Sequence, residues 1–469
     1  LADILRIWAH HIPADERLEA RISRRGPRRA AQQPPMCLLS GDRRYTVAST
    51  PSGLGPDGQE VTGPLSWYRS FTREGRRAFK GAFGGFALDS YDFQVLPLSM
   101  VAIAGYFSLS TAQTGLLTTV TLLMSAIGGI LAGVLIDRVG RVRTLMITVG
   151  TYALFTVLCG FAVNYPMLLV SRAFQGIGFG GEWAAGAVLV AEYARSQYRG
   201  RVLAFIQSSW AVGWGLAVIV STVVMDNLDP AIAWRVMFWT GALPALLLVY
   251  VRRKVQDAPQ LTRRLAKEVR VPLSSVFQGA LARKTFFATL LATGVQGGYY
   301  TIATWLPAYL KTERGLTVVG TGGYLFVLIT GAFCGYVTAG YVVDFLGRKK
   351  SFALFAVLSG GLLMAYINIP QGSNRMLLVL GFPLGFCASA IFSGFGAFLA
   401  ELYPSAVRGT GQSFTYNVGR ACGAFFPTSV GFAAGDEGVG GALVYGVMGY
   451  AVALIALVGL PETRGTELT

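Results

Sequence analysis

The chain is short of charge. Of its 469 residues only 14% are Asp, Glu, Lys or Arg, where a soluble protein carries about 25%. Histidine is almost missing: His10 and His11 are the two present, both in a polar stretch ahead of the first long apolar run. A histidine relay inside a membrane and paired histidines for haem are thereby excluded. Cysteine is sparse too. Cys37, Cys159, Cys334, Cys387 and Cys422 form no CxxC and four of them lie inside apolar runs, so neither a disulfide framework nor a zinc site is expected. A GxxxxGK[ST] loop is absent, which argues against ATP drive within this chain. HExxH, nucleophile-elbow and kinase signatures are absent as well. The sequence does not read as an enzyme and calls for no cofactor and no metal. Residues 1–64 lack the apolar core and cleavage site of a secretory signal, and have no sustained apolar period. They read as a disordered segment or as an extension upstream of the true start.

What is abundant is apolar. Hydrophobic residues make up 53% of the chain and the mean hydropathy is +0.51. Runs of about 20 apolar residues point to a bilayer as solvent, and backbone groups in lipid must bond within the segment, so the runs are helices. Twelve spans are expected, at 81–105, 112–135, 143–162, 167–191, 202–225, 233–251, 286–310, 320–343, 351–369, 376–400, 410–433 and 441–460. The net charge of +16 does not signal nucleic acid, because the basic residues fall in alternate loops. One set of loops carries Arg138, Arg141, Arg143, Arg195, Arg199, Arg201, Arg348, Lys349, Lys350, Arg408 and the segment from Arg252 to Lys284. The opposite set carries Arg235, Lys311, Arg314 and Arg375. The positive-inside rule puts both termini and the central loop in the cytoplasm, with the spans in a cell (inner) membrane. Domain limits follow: an interfacial helix at 65–80, where Trp67, Tyr68, Phe71 and Phe79 alternate with Arg and Lys, a six-helix bundle at 81–251, a cytoplasmic loop at 252–285, a second bundle at 286–460 and a tail at 461–469.

The two halves are copies. Gly133-Val-Leu-Ile-Asp137-Arg-Val-Gly140-Arg141 returns as Gly340-Tyr-Val-Val-Asp344-Phe-Leu-Gly347-Arg348, with every equivalent pair separated by the same number of positions. Glu192-Tyr-Ala-Arg-Ser-Gln-Tyr-Arg199 likewise returns as Glu401-Leu-Tyr-Pro-Ser-Ala-Val-Arg408. The first repeat resembles the signature loop between the second and third helices of each half in the major facilitator superfamily. The resemblance covers about residues 65–469. It implies an all-α membrane protein of twelve transmembrane helices in two pseudo-symmetric six-helix bundles. It also implies a cytoplasmic gate of acidic and basic partners: Asp137 with Arg141, Glu192 with Arg199, and in the second half Asp344, Arg348, Glu401 and Arg408.

Charge inside the spans marks the chemistry, because an ionisable group in an apolar helix is costly and functional by default. The first span holds Asp89 and Asp92, whose spacing of three puts them on nearly one face. At about 1.5 Å per residue from Gly81 they lie about 12 and 17 Å deep. The fourth span brings Arg172, whose long side chain can reach toward Asp92, together with Gln175 and, ten residues after the arginine, Glu182. Tyr91-Asp92 and Arg172 through Gly180 resemble the first- and fourth-helix motifs of proton-coupled sugar porters and of metabolite:proton symporters of the sialate/lactate type. That resemblance implies that Asp92 takes the proton and Arg172 tunes it. A purely structural Asp–Arg pair stays open. Glu182 is either a second protonatable group beside Asp89 or a gate residue.

The eleventh span carries Arg420, which needs an anion near the midplane. With Asn417 one turn earlier, it is the expected partner of a substrate carboxylate, bound through the guanidinium fork. A structural arginine bonding backbone carbonyls is the alternative. Gln175, Gln207, Gln296, Tyr299 and Tyr300 supply polar tips for a small organic substrate. Pro461-Glu462-Thr463-Arg464-Gly465 resembles the motif that follows the last helix of sugar porters and is expected to cap the cytoplasmic side. The chain thus reads as a secondary active transporter that imports a small organic anion by proton symport, working as a monomer, with protons, substrate and lipid as its partners. A sugar or polyol importer, a proton-driven efflux transporter and, from another class, a non-transporting membrane sensor remain as alternatives.

Overall fold

A computed structural model of the chain describes residues 66–194, 199–243, 254, 273–404 and 407–464. The side chains of Asp137, Arg141, Glu182, Glu192 and Arg199 lie outside the described residues, as do the segment 1–64 and most of the expected central loop. After the short turn Ser66–Arg69, the helical segments of the described residues group into twelve helices. They are α1 Arg73–Phe107, α2 Thr111–Val139, α3 Arg141–Gly160, α4 Tyr165–Tyr193, α5 Arg199–Asn227 and α6 Pro230–Trp239 in the first half. The second half has α7 Gly279–Thr312, α8 Val318–Leu346, α9 Arg348–Ile367 and α10 Asn374–Ala390, which runs on through a 3-10 turn into Phe395–Leu402. There follow α11, built of Arg408–Gly423 and Phe425–Ala442, and α12 Val444–Val458. Gly438 (φ 76°) breaks the helical path inside Phe425–Ala442.

Sequence sets the helix starts. Thr72 accepts the N–H of Gly75 and opens α1, Asn164 accepts that of Met167 and opens α4, and Thr317 accepts that of Gly320 and opens α8. The first cap corrects one expectation. Residues 65–80 do not form a separate interfacial helix. A single helical turn at Ser66–Arg69 precedes Thr72, and Arg73 to Lys80 are the opening turns of α1. The aromatic residues that suggested an interfacial face pack together instead, with Trp67 5.4 Å from Phe79 and 5.0 Å from Phe205 of α5.

The halves repeat each other in packing. In the first, α2 lies on α4, α1 on α5, and α3 on α4 and α6. In the second, α8 lies on α10, α7 on α11, and α9 on α10 and α12. The halves meet where α2 packs on α11 and α5 on α8, two contacts that exchange under the repeat, and where α1 packs on α7. Glycine makes the close crossings possible in matching places. A Cβ on Gly128 would sit 2.0 Å from the carbonyl oxygen of Ile177, and one on Gly176 2.3 Å from that of Thr121. Their equivalents, Gly335 and Gly385, face Phe386 and Leu328 carbonyls at 2.3 and 1.9 Å. Gly385→Val is therefore expected to destabilise the second half by about 1–3 kcal/mol or more, through overpacking against backbone that cannot turn aside. A lowered melting temperature of the detergent-solubilised protein checks it.

Among the described residues, seven helices are long and apolar enough to cross a membrane by length and composition. The three helices that carry buried charge, α1, α4 and α11, are not among them. Their polar positions face neighbouring helices, which relieves those helices of being apolar all round.

Candidate functional site

Where the halves meet, Phe86 and Asp89 of α1, Phe179 of α4, Gln207 and Trp210 of α5, Tyr299 and Tyr300 of α7, Tyr336 of α8, Phe392 and the α11 pair Tyr416 and Arg420 line one central pocket. Both halves contribute and the walls are chiefly aromatic. Trp210 donates its indole N–H to the Tyr299 hydroxyl at 2.7 Å, tying α5 to α7. Phe93 lies 5.6 Å from Tyr300, and Tyr299 5.0 Å from Phe392. Arg420 is buried, 5% exposed. Its guanidinium lies 5.1 Å over the Tyr416 ring and 5.5 Å over Phe179, a cation–π seat on two faces. Two of its hydrogen bonds are long: Nε donates to Gln296 at 3.4 Å and Nη1 to Ser125 at 3.5 Å. Bonds at that length hold a guanidinium weakly. The glutamine is itself anchored, donating to the Tyr416 carbonyl at 3.0 Å.

A second polar centre lies inside the first half, away from the pocket. Asp92 is 2% exposed and Arg172 is 0% exposed. No direct hydrogen bond joins them. Thr156 of α3 donates to Oδ2 of Asp92, and Gln175 of α4 donates to the same oxygen at 3.2 Å and to Thr156 at 2.6 Å. Arg172 then donates through Nη1 to the side-chain oxygen of Gln175. The result is a chain, Arg172–Gln175–Thr156/Asp92. Oδ1 of Asp92, and Nε and Nη2 of Arg172, have no hydrogen-bond partner among the described residues. Gly241 leaves room for that carboxylate oxygen, since a Cβ there would stand 2.8 Å from it. Next to it, the Tyr91 and Thr240 hydroxyls share a hydrogen bond that ties α1 to the end of α6.

The third cluster caps the face that carries the repeated loops. Arg348 grips Glu401 with two parallel bonds, 2.8 and 3.0 Å, and reaches Asp344 at 3.2 Å. Thr463 donates to Glu401 at 2.6 Å. Glu462 accepts the backbone N–H of Arg348 at 2.9 Å and of Lys349 at 3.1 Å, so a side chain from beyond α12 caps the start of α9. Burial alone would raise the Glu462 carboxyl. The backbone N–H groups of Arg348, Arg464, Lys349 and Thr463 outweigh it and hold the group below the usual carboxylate range. Arg408 donates to the Ala400 carbonyl at 2.8 Å.

The family model of the Major Facilitator Superfamily matches residues 82–427. The chain belongs to the major facilitator superfamily. It is a multi-pass membrane transporter and not an enzyme. One relative is the probable 4-methylmuconolactone transporter of Cupriavidus pinatubonensis, 38% identical over 86% of this chain and 94% of its own. Another is the cis,cis-muconate transport protein of Acinetobacter baylyi, 34% identical over 80% of this chain and 91% of its own. Among solved structures, a D-xylose-proton symporter superposes with a TM-score of 0.68 at 21% identity, covering 84% of this chain and 99% of that one, which shows the shared fold.

The residues singled out in the sequence fall into separate places. Asp89, Gln207, Tyr299, Tyr300 and Arg420 come together in the pocket, with Gln296 behind the arginine. Gln175, expected among them, sits instead between Arg172 and Asp92. Asn417 is also turned away: its amide donates to the Ser413 carbonyl of its own helix at 2.9 Å and its oxygen fills the space beside Gly129. Asp89 and Asp92 do not share an environment as their spacing suggested. Three residues advance about 300°, and α1 lies between two neighbours, so the remaining 60° sends Asp89 to the pocket and Asp92 to α3 and α4. Sequence reasoning does not single out Thr156, Tyr336, Tyr416 or Ser125. None of these carries a distinguishing signal; Thr156 is one of four threonines in α3.

Proposed function

We propose that this chain imports a small unsaturated or aromatic carboxylate by proton symport. The observation that carries the reading is Arg420: a buried cation in an aromatic pocket between the halves, with long hydrogen bonds to Gln296 and Ser125 and with Asp89 lining the same pocket. A carboxylate entering there gains a guanidinium fork and planar walls, both suited to a flat anion. The names of the muconolactone and muconate relatives agree with that chemistry. A neutral sugar would make no use of the charge on Arg420's guanidinium fork, and the likeness to the xylose symporter concerns the fold.

Asp92 carries the proton. Its link to Arg172 runs through Gln175 and Thr156, so a proton arriving on the carboxylate alters what Gln175 bonds and thereby what holds Arg172 in place. Asp89, which faces the substrate pocket, and Glu182 remain as further protonatable groups. The loop cluster of Asp344, Arg348, Glu401 and Arg408, with Asp137, Arg141, Glu192 and Arg199 in the first half, is the gate on the cytoplasmic side, broken and remade as the halves rock. Both termini lie in the cytoplasm, the chain sits in the inner membrane, and one copy suffices. The test is uptake into liposomes holding the purified protein, with radiolabelled cis,cis-muconate, benzoate and xylose under an inward proton gradient. Muconate or benzoate uptake accompanied by internal acidification is expected. Xylose uptake without either acid overturns the carboxylate reading.

A further inference from the structure

A second gap between the halves is lined by the same four helices that furnish much of the central pocket, α1, α5, α7 and α8. On α1 it begins at Pro97, two to three turns beyond Asp89, or about 12–18 Å at ~1.5 Å per residue. On α7 it is lined by Pro307 and Lys311, beyond Tyr300 in the same direction. Between the two cavities stand Phe93 against Tyr300 and Trp214 against Tyr299. The gap therefore lies on the route from the face opposite the charged loops, and an aromatic layer divides it from the pocket.

Two of its groups are uncommitted. Thr321 is 8% exposed and its hydroxyl has no hydrogen-bond partner among the described residues. Lys311 is exposed at the end of α7, and no hydrogen bond or ion pair to it is found among the described residues. Three other charges on this face are engaged, while Asp226, one residue past gap-lining Met225, is exposed. Arg314 donates to the carbonyls of Pro370 and Ile369, Arg235 to those of Gly160 and Ala162, and Glu313 accepts the N–H of Gly440 with both oxygens. Lys311 is thus a free positive charge at the mouth of a gap that holds an unsatisfied hydroxyl.

We propose that this gap is an entry subsite for organic carboxylates, in which Lys311 attracts the anion and Thr321 donates a hydrogen bond to it before the aromatic layer opens. The proposal rests on the organic-anion reading above and adds a place to it. A charged cleft with low-dielectric walls concentrates counter-ions and speeds association, and the effect fades with salt as the Debye length shortens.

The experiment keeps the two readings apart. In a cysteine-free background, Thr222→Cys on the α5 wall of the gap is labelled from outside with an anionic and a cationic methanethiosulfonate of equal size. The anionic reagent is expected to react faster, and Lys311→Glu to shift the ratio of the two rates by about tenfold toward the cation. A ratio that ignores Lys311→Glu overturns the subsite whatever the substrate proves to be. In the second arm, cis,cis-muconate is expected to slow labelling in Arg420→Ala protein, where the central site is lost, and to stop doing so when Lys311→Gln is added. Protection that disappears with Arg420→Ala alone places all binding in the central pocket and overturns the subsite. The organic-anion reading fails separately, if wild-type protein takes up neither muconate nor benzoate.

Discussion

Arg420→Ala is expected to abolish carboxylate uptake while leaving the fold intact. Truncating one partner of a buried, hydrogen-bonded charge pair costs about 2–5 kcal/mol, which corresponds to a loss of roughly 30-fold to several thousandfold in kcat/KM. The alternative is an arginine retained to hold helices together. An arginine in that role spends its donors on carbonyls at short range, as Arg314 does at 3.1 Å to Pro370. Arg420 has instead its 3.4 and 3.5 Å contacts with side chains and its seat on Tyr416 and Phe179. Removing it costs packing on two rings and takes away the cation that shares the pocket with the buried Asp89. Uptake lost with a melting temperature close to wild type is the expected pair of results. A collapse of stability together with uptake would return Arg420 to a structural role. Arg420→Lys keeps the charge but not the planar fork, so partial recovery, chiefly as a raised KM, is expected.

How much of this is legible in the sequence depends on what each residue costs. A carboxylate or guanidinium in an apolar run is expensive, so Asp89, Asp92, Arg172 and Arg420 stand out from their neighbours in the chain alone, and all four are buried. The repeated loops are legible because a duplication keeps spacing, and Arg348, Asp344 and Glu401 do meet. What spacing cannot show is partnership. Gln175 looks like any pocket amide until Arg172 and Asp92 are seen on either side of it. Asp89 and Asp92 differ by about 60° on one helix, which matters only once the neighbours of α1 are known. The aromatic lining is hidden for a different reason: Phe86, Phe179 and Phe392 are as much at home against lipid as against a ligand. Glu462 lies more than a hundred positions from the helix it caps, a tertiary contact that local capping rules do not reach.

Asp92→Asn is expected to uncouple the transporter. Asparagine has the size of aspartate and can still accept from Thr156 and Gln175, so the polar chain to Arg172 survives in a form fixed in charge. What is lost is the change of charge. In the wild type, each pH unit of gradient supplies about 1.4 kcal/mol, enough for about tenfold accumulation when one proton accompanies one monoanion. In Asp92→Asn that ratio is expected to fall to about one. Exchange of internal for external carboxylate should persist, because it needs the pocket and the rocking of the halves but no net proton movement. Gln175→Leu supplies the matching test of the link itself: the acid and the arginine both remain, but nothing joins them, and accumulation is expected to drop even though Asp92 can still be protonated. If Asp92→Asn accumulates substrate as the wild type does, the proton belongs elsewhere. Asp89 then becomes the acid to replace, since it is the carboxylate that faces the substrate pocket with Arg420.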